Sequence, residues 1–302
     1  MNLKIFQIYY DSISIKGLDP DFIPYDNSKG SSKWFEYGVF RDNYFNKNYK
    51  SAEYTGFLSW KFRQKTRIWG KEFVTFIHKA EVSDVYFVNP FQGNTNRFRS
   101  VWECGEYFHP GLKEIVKNIF HKIGYDISLD KIVNNHEDTL YCNYWVGNEK
   151  FWKMYIEFCE PVYLYIENSL DPILEEKILK QADPSIKASF IPFIMERLFT
   201  TLLYVKGKNI KASPLKFHPF FAHPISLYPV YLRLNNLKEL EMNGAYVTDN
   251  RNILLPFLDN FMEMAAKEKQ NGILRKIIFR LIFFIKVRIK LFFIKENLEN
   301  KV

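Results

Sequence analysis

Several common signatures are missing from this 302-residue sequence. Its three cysteines, Cys104, Cys142 and Cys159, form no Cys-x-x-Cys pair, which argues against a disulfide framework and a thiolate zinc site. The phosphate-binding loop, the Gly-x-Gly-x-x-Gly fingerprint, the Gly-x-Ser-x-Gly elbow and His-Glu-x-x-His are also absent. The sparse cysteines, with an N-terminus that lacks a secretory signal, predict a cytoplasmic protein.

Acidic residues are absent from one C-terminal stretch, residues 273–295, ILRKIIFRLIFFIKVRIKLFFIK. Seven basic residues in this stretch account for most of the formal net charge of +8, so the rest of the chain is close to neutral. A nucleic-acid-binding body should carry its own basic face, so we expect no nucleic-acid partner. The seven residues are Arg275, Lys276, Arg280, Lys286, Arg288, Lys290 and Lys295.

The helical projection of this stretch separates an apolar sector, about 100° wide, from all seven cations. Central lysines and arginines make a membrane span unfavourable. The pattern predicts a basic amphipathic helix lying on the anionic inner face of the cell membrane. The alternative is a terminal helix that packs on the protein body and leaves its lysines in water.

The N-terminal part alternates between strand and helix patterns. This order is typical of an α/β fold with a mostly parallel sheet flanked by helices. In such sheets ligands bind at the carboxyl ends of the strands, so the loops after Tyr10, Phe62 and Phe87 are the first places to look for a site. The expected strands cover residues 4–10, 55–62, 83–91 and 139–147, and the expected helices cover 33–45, 71–80, 111–124 and 191–207, with another beginning after an N-cap at Asn148.

Three acids are candidates for a catalytic base. Glu196 adjoins Arg197 in an otherwise apolar helix, where a charge is costly unless it is paired or functional. It is therefore a base or a member of an ion pair. Asp84, before the third strand, is a base or a cap at the strand edge. Glu106 stands with His109 just before a predicted helix, where it is a base or a capping group.

The sequence contains one Asp-x-Asp pair, Asp19-Pro20-Asp21, in the loop after the first strand. Such pairs hold Mg²⁺ or Mn²⁺ against the diphosphate in many nucleotide-sugar transferases. This pair is in the wrong place for that motif, and Asp-Pro-Asp is also a common turn. Dependence on a divalent metal is left open, and no metal ligand is assigned.

Four segments, FIPYDN, YTGFLSWKF, CNYWVGNEKFWKMYIEFC and FIPFIMERLFTTLLY, appear in this order. Over residues 1–205 the chain resembles bacterial glycosyltransferases encoded in capsule and O-antigen loci. The resemblance implies a GT-A-like fold and sugar transfer from a nucleotide-sugar donor to a lipid-linked glycan. It implies that Asp26, Asn27, Ser59 and Lys61 line the donor side and that Glu196 lies near the acceptor. In a metal-independent enzyme Lys61 or Arg63 would bind the diphosphate. Tyr10 is a further predicted donor residue, and His109 and Trp102 are the predicted acceptor residues.

The expected organisation is a catalytic domain over residues 1–210, an irregular and helical extension over 211–272, and the basic amphipathic helix over 273–302. The hypothesis is a peripheral membrane glycosyltransferase of surface-polysaccharide assembly. Two alternatives stay open: a different transferase of the same pathway, or a non-enzymatic glycan-binding or scaffold protein. Aromatic side chains such as Trp60 offer stacking surfaces for sugars, although most belong to the core.

Overall fold

The computed structural model describes residues 1–30, 33–182 and 188–216. Contacts divide the chain into two units, Met1–Phe91 with Ser100–Phe217 and Gln92–Arg99 with His218–Val302. The described part of the second unit, Gln92–Arg99, contains a short helix. The expected extension beyond residue 216 and the expected membrane helix lie outside the described residues.

The first unit is built on a six-stranded sheet. Its strands are β1 (Leu3–Tyr9), β2 (Ile23–Asp26), β3 (Tyr54–Ser59), β4 (Val85–Phe87), β5 (Trp145–Asn148) and β6 (Ala212–Pro214). Their spatial order is β2-β1-β3-β5-β4-β6. Pairs β1–β2, β1–β3 and β4–β6 are parallel, whereas β5 runs antiparallel to both β3 and β4. The expected α/β class with a mostly parallel sheet is confirmed.

Helices follow most strands of the sheet. They are α1 (Phe35–Phe45), α2 (Phe62–Thr66), α3 (Gly70–Lys79), α4 (Gln92–Arg97, in the second unit), α5 (Val101–Phe108), α6 (Leu112–Lys122), α7 (Glu149–Asn168), α8 (Pro172–Leu179) and α9 (Phe190–Lys206). Asn148 caps α7 as expected, because its side chain accepts a hydrogen bond from the N–H of Phe151 over 2.9 Å.

Every residue of β3 is buried, which explains why its sequence is a nearly continuous apolar run. Gly56 lies at the centre of this strand, and a Cβ there would come within 2.6 Å of the carbonyl oxygen of Trp145. Glycine therefore allows β5 to approach β3 closely. Trp152 of α7 packs on this pair and donates its indole N–H to the carbonyl of Thr55 over 2.9 Å. Many of the aromatic side chains of the chain lie in this core.

Several element boundaries differ from the sequence expectation. Residues 23–26, expected to be loop, form the edge strand β2, whose mostly exposed side chains give no buried alternation to detect. The strand expected over 139–147 is reduced to Trp145–Asn148, because Cys142 and Asn143 adopt left-handed φ values of 71° and 53°. The segment expected to precede a helix, residues 101–108, is itself helix α5.

The boundary expected after residue 210 stays a prediction. Strand β6 lies just beyond it, at Ala212–Pro214, and pairs in parallel with β4. Among the described residues, no helix combines the length and hydropathy needed to cross a bilayer.

Candidate functional site

A cavity of about 320 Å³ opens where β1 and β3 end, which is the edge of the sheet that the strand pattern pointed to. Its walls come from four places in the chain: the end of β1, the start of α1, the turn from β3 into α2, and the first half of α9. We call it the Glu196 cavity, defined by Tyr10, Phe35, Glu36, Ser59, Trp60, Lys61, Lys65, Pro192, Phe193 and Glu196.

A buried glutamine holds two of these walls together. The Gln7 side chain, in β1, donates to the carbonyls of Ser59 and Trp60 over 3.3 Å each. Its carbonyl oxygen accepts the N–H of Asp19 over 2.6 Å. Gln7 is fully buried, so satisfying its amide fixes the turn after β3 against the loop after β1. The turn that carries Ser59, Trp60 and Lys61 is thereby positioned over the cavity.

Glu196 is the acid in this cavity with the most altered environment. Its carboxylate accepts no hydrogen bond from any residue that the structure describes. Burial raises its pKa; Lys65 opposes this, the nearby Glu36 adds to it, and Arg197 opposes it. A carboxyl group in a cavity whose pKa is raised, and whose oxygens accept no hydrogen bond from a described residue, is suited to accepting a proton.

Arg197 is not the hydrogen-bonding partner of Glu196. Its guanidinium donates to the carbonyl of Val101 over 2.9 Å and to the carbonyl of Phe193 over 2.7 Å. These bonds tie α9 to the start of α5 and leave Arg197 almost fully buried. Of the two adjacent charges, one is therefore structural and the other faces the cavity.

Lys65 is the cation that lowers the pKa of Glu196 most. Its ammonium donates to the sulfur of Cys142 over 3.0 Å. Burial works against this charge, but Cys142 and Glu196 outweigh it and the pKa of Lys65 is raised. Burial also raises the pKa of the Cys142 thiol to about 12, so the thiol stays protonated at neutral pH. The acid that balances Lys65 there is therefore a carboxylate, with Glu196 the strongest contributor.

The other walls combine a buried hydroxyl with exposed and aromatic groups. The Tyr10 hydroxyl is buried and forms no hydrogen bond with any described residue, and burial together with Glu36 raises its pKa. Lys61 lies over the ring of Trp60, 5.1 Å from its centre. Phe35 has a left-handed φ of 49°, a conformation that costs a non-glycine residue of order 1–3 kcal/mol and that clusters at functional sites.

Five of the residues singled out from the sequence meet in the cavity, namely Tyr10, Ser59, Trp60, Lys61 and Glu196. Sequence reasoning did not select Glu36 and Lys65 as site residues. A signal for Lys65 was present, because residues four apart share a helix face; Lys61 is the N-cap of the short helix α2 and Lys65 lies in its last turn. Glu36 carried no such signal, since an acid in the first turn of a helix is ordinary.

The other two candidate bases lie elsewhere and are engaged in structural bonds. Asp84 accepts from the ammonium of Lys150 over 2.7 Å, the N–H of Lys211 over 2.9 Å and the amide of Asn148 over 3.1 Å. Its carboxylate thus joins β4 to the start of α7 and to the segment before β6. Glu106 accepts the N–H groups of Gly111 and Lys113 over 2.9 and 2.8 Å and so caps α6.

Neither predicted acceptor residue lines the cavity. Trp102 is fully buried in the core and donates its indole N–H to the hydroxyl of Thr201 over 3.0 Å. The His109 ring contacts the carbonyl of Ala182 over 3.1 Å and stacks on Phe193 with ring centres 3.7 Å apart. His109 therefore reaches the cavity only through Phe193.

Three predicted donor residues also lie outside the cavity. Asp26 ends the edge strand and accepts the N–H of Ser28 over 2.9 Å; this bond is the main cause of its lowered pKa. Asn27 donates its backbone N–H to the carbonyl of Tyr9 over 2.9 Å. Arg63 is exposed and lies over the ring of Trp69.

The Asp-x-Asp pair has a structural use. Asp19 accepts the N–H of Gly70 over 2.8 Å and Asp21 accepts the N–H of Lys71 over 3.0 Å, so the pair caps α3. Over residues 1–30, 33–182 and 188–216 no three His, Cys, Asp or Glu side chains converge as a metal site. The described residues therefore do not fit a diphosphate-bound metal at this pair.

A larger cavity of about 530 Å³ lies between the segment after α6, the middle of α7 and the end of α9. It is lined mainly by apolar residues, and its ionisable residues, Asp126, Glu157 and Lys206, are exposed. It gathers no buried acid beside a buried cation. The Glu196 cavity is smaller, but its ionisable side chains make it the better candidate for an active site.

Comparisons with known proteins identify no family for this chain. No family model matches the chain, and no curated protein matches its sequence. One solved structure, the WbbM bifunctional glycosyltransferase in its apo form, is similar with a TM-score of 0.44 and 14% identity. The match covers 72% of this chain and 45% of that chain. This likeness is too weak to assign a fold or an activity.

Proposed function

We propose that the chain is a glycosyltransferase that uses a nucleotide-sugar donor and acts in the Glu196 cavity. The observation that carries the proposal is the free carboxylate of Glu196, with its raised pKa, beside Lys65 in an aromatic-lined cavity at the carboxyl ends of β1 and β3. The weakly similar WbbM structure is named for the same class of activity, but the likeness does not carry the proposal.

In the proposed reaction, an acceptor hydroxyl attacks the anomeric carbon of the donor sugar, and the bond from that carbon to the phosphate oxygen breaks. The hydroxyl proton passes to the carboxylate of Glu196, and the nucleoside diphosphate leaves with the bonding electrons. Asp84 and Glu106 were the other candidate bases, and their engagement in hydrogen bonds favours Glu196.

Lys61 is the proposed contact for the leaving diphosphate, because it lies at the cavity and forms no ion pair with a described residue. Lys65, bonded to Cys142, instead stabilises the ionised form of Glu196. Among the described residues no ligand set fits Mg²⁺ or Mn²⁺, and no step of the proposal passes through a metal.

The proposed acceptor is a lipid-linked glycan of a bacterial surface polysaccharide, a capsule or an O-antigen. The support is the basic, acid-free segment of residues 273–295, which would hold the enzyme at the inner face of the cell membrane. The donor sugar, the nucleotide and the linkage are not part of the proposal.

A donor screen tests the proposed activity. The purified full chain is incubated with UDP-, GDP-, CDP- and dTDP-linked sugars, and release of the free nucleotide is measured. We expect slow hydrolysis of one donor class by the wild type and a large loss with Glu196→Gln. If no nucleotide is released and UDP, GDP, CDP and CMP all leave the melting temperature unchanged, a non-enzymatic glycan-binding or scaffold protein becomes the better account.

A further inference from the structure

Glu36 is the second acid of the Glu196 cavity, and its charge acts on ionisable groups in the cavity and beside it. It contributes to the altered pKa values of Tyr10, Lys65, Cys142, Tyr144 and Glu196. It nevertheless accepts no hydrogen bond from any residue that the structure describes. Two carboxylates in one cavity thus have acceptor capacity that no described residue satisfies.

The charges around the cavity balance. Two carboxylates, Glu36 and Glu196, face two ammonium groups, Lys61 and Lys65. Lys65 is held inside by its bond to Cys142, whereas Lys61 lies against Trp60. A phosphate placed deep in the cavity would meet two carboxylates and bring no hydrogen to either of them. An uncharged ligand with several hydroxyl groups would supply those hydrogens without disturbing the charge balance.

The apolar part of the wall also fits a ring-shaped polyol. Four aromatic side chains line the cavity, and they are Tyr10, Phe35, Trp60 and Phe193. Aromatic faces provide rigid, flat surfaces, and the C–H faces of a sugar ring pack against such surfaces while its hydroxyls point sideways to polar groups. His109 stacks on Phe193 with ring centres 3.7 Å apart, and this contact fixes the position of the Phe193 ring in the cavity wall.

We infer that the Glu196 cavity receives the uncharged ring of a sugar, with Glu36 accepting its hydroxyl hydrogens, and that the phosphates of the donor stay outside near Lys61. The inference rests on the proposed function and makes Glu36 a residue that determines sugar specificity. Removing the charge of Glu36 should weaken sugar binding roughly tenfold, as expected for the loss of hydrogen bonds to a charged acceptor.

Ligand-observed saturation-transfer NMR on the full chain tests this inference without requiring turnover. The probes are the methyl glycosides of glucose, galactose, mannose and N-acetylglucosamine, together with UDP and GDP. The variants are Glu36→Gln and Phe193→Leu. Glu114→Gln is the matched control, because Glu114 is an exposed acid that pairs with Lys177 away from the cavity.

We expect transfer to the ring protons of at least one glycoside, a loss of that signal in Glu36→Gln and Phe193→Leu, and no change in Glu114→Gln. Nucleotide signals should survive both cavity variants. The inference is overturned if no glycoside receives saturation, or if the nucleotide signals fall in parallel with the sugar signals, since the cavity would then hold the nucleotide. Glycoside binding through Glu36 without turnover of any donor would contradict the proposed function and leave this inference standing.

Discussion

Lys65 and Cys142 form a partly buried contact, in which the lysine ammonium donates to the cysteine sulfur over 3.0 Å. They come from distant parts of the chain, the short helix α2 and the turn before β5. The cysteine keeps its proton at neutral pH, so it positions the ammonium without neutralising it. Lys65 therefore remains a cation beside Glu196, and it lowers the pKa of an acid that burial alone would raise further.

Replacing Lys65 should change the pH dependence of the reaction. A base must be ionised to act, so the rate should rise with pH through the pKa of Glu196. In Lys65→Met the opposing cation is gone, and the acid limb of the rate profile should move to higher pH, with about a tenfold loss of rate per unit of displacement below the limb. Lys65→Arg keeps the charge and should leave the limb nearly in place. If the acid limb of Lys65→Met stays at the wild-type pH, Lys65 does not influence the pKa of the catalytic base.

Glu196→Gln should stabilise the protein near neutral pH. Because the pKa of Glu196 is raised in the folded state, its contribution to stability is complete below the ordinary glutamate range and is lost as pH rises through the folded pKa. Glutamine at this position cannot ionise, so the variant does not lose this stability as pH rises. Urea unfolding should therefore show a higher free energy of unfolding for the variant near pH 7.5 and little difference below about pH 4.

Glu106→Ala should destabilise the protein, in contrast to Glu196→Gln. Glu106 caps α6 through two backbone N–H groups, so its removal should cost about 1–2 kcal/mol of unfolding free energy. If Glu196→Gln loses stability near neutral pH to the same extent, then Glu196 is a structural residue.

Asp84 should prove structural. Burial acts to raise its pKa, but the bonds from Lys150, Lys211 and Asn148 outweigh burial and lower it. A lowered pKa contributes stability above the ordinary aspartate range, and that contribution is lost as pH falls through the folded pKa. Asp84→Asn should therefore cost about 1–2 kcal/mol near neutral pH and progressively less in acid. Donor turnover by the folded variant should stay within about twofold of wild type; a loss of activity at unchanged stability would return Asp84 to the candidate bases.

The basic C-terminal segment should govern membrane binding. The full chain should float with vesicles that contain anionic lipid and bind less as salt is raised, because the head groups attract lysine and arginine through a screened potential. A chain that ends at residue 272 should lose this binding, and neutral vesicles should retain little of either form. Equal flotation of both chains on anionic vesicles would contradict the assignment of this segment.

The sheet and the location of the cavity could be predicted from sequence because they depend on short-range patterns. The buried runs of β1 and β3 are recognisable by their apolar content, and ligands bind beyond the carboxyl ends of such strands. Edge strand β2 and helix α5 were missed for different reasons. Most side chains of β2 are exposed, and α5 carries His109-Pro110 directly after its last turn, a pair that is typical of a turn.

The composition of the site could be predicted only in part. Glu196 was conspicuous because a charge interrupts an apolar helix, whereas Ser59 and Lys61 were predicted through the resemblance to glycosyltransferases. The partnership of Lys65 with Cys142 depends on a contact between residues 77 positions apart, which no local pattern encodes. Asp84 and Glu106 show the converse: an isolated acid near a strand or helix terminus has the same local sequence whether it caps the element or catalyses a reaction.

The central claim is that Glu196 is the base of a sugar transfer, and single-turnover kinetics of Glu196→Gln test it most directly. Wild type and variant are compared at saturating donor, with circular dichroism and thermal unfolding confirming that both are folded. The account predicts that the chemical step slows by about 10²-fold or more in Glu196→Gln, while the affinity for the nucleotide is retained. Wild-type rates of transfer in the folded variant would contradict it.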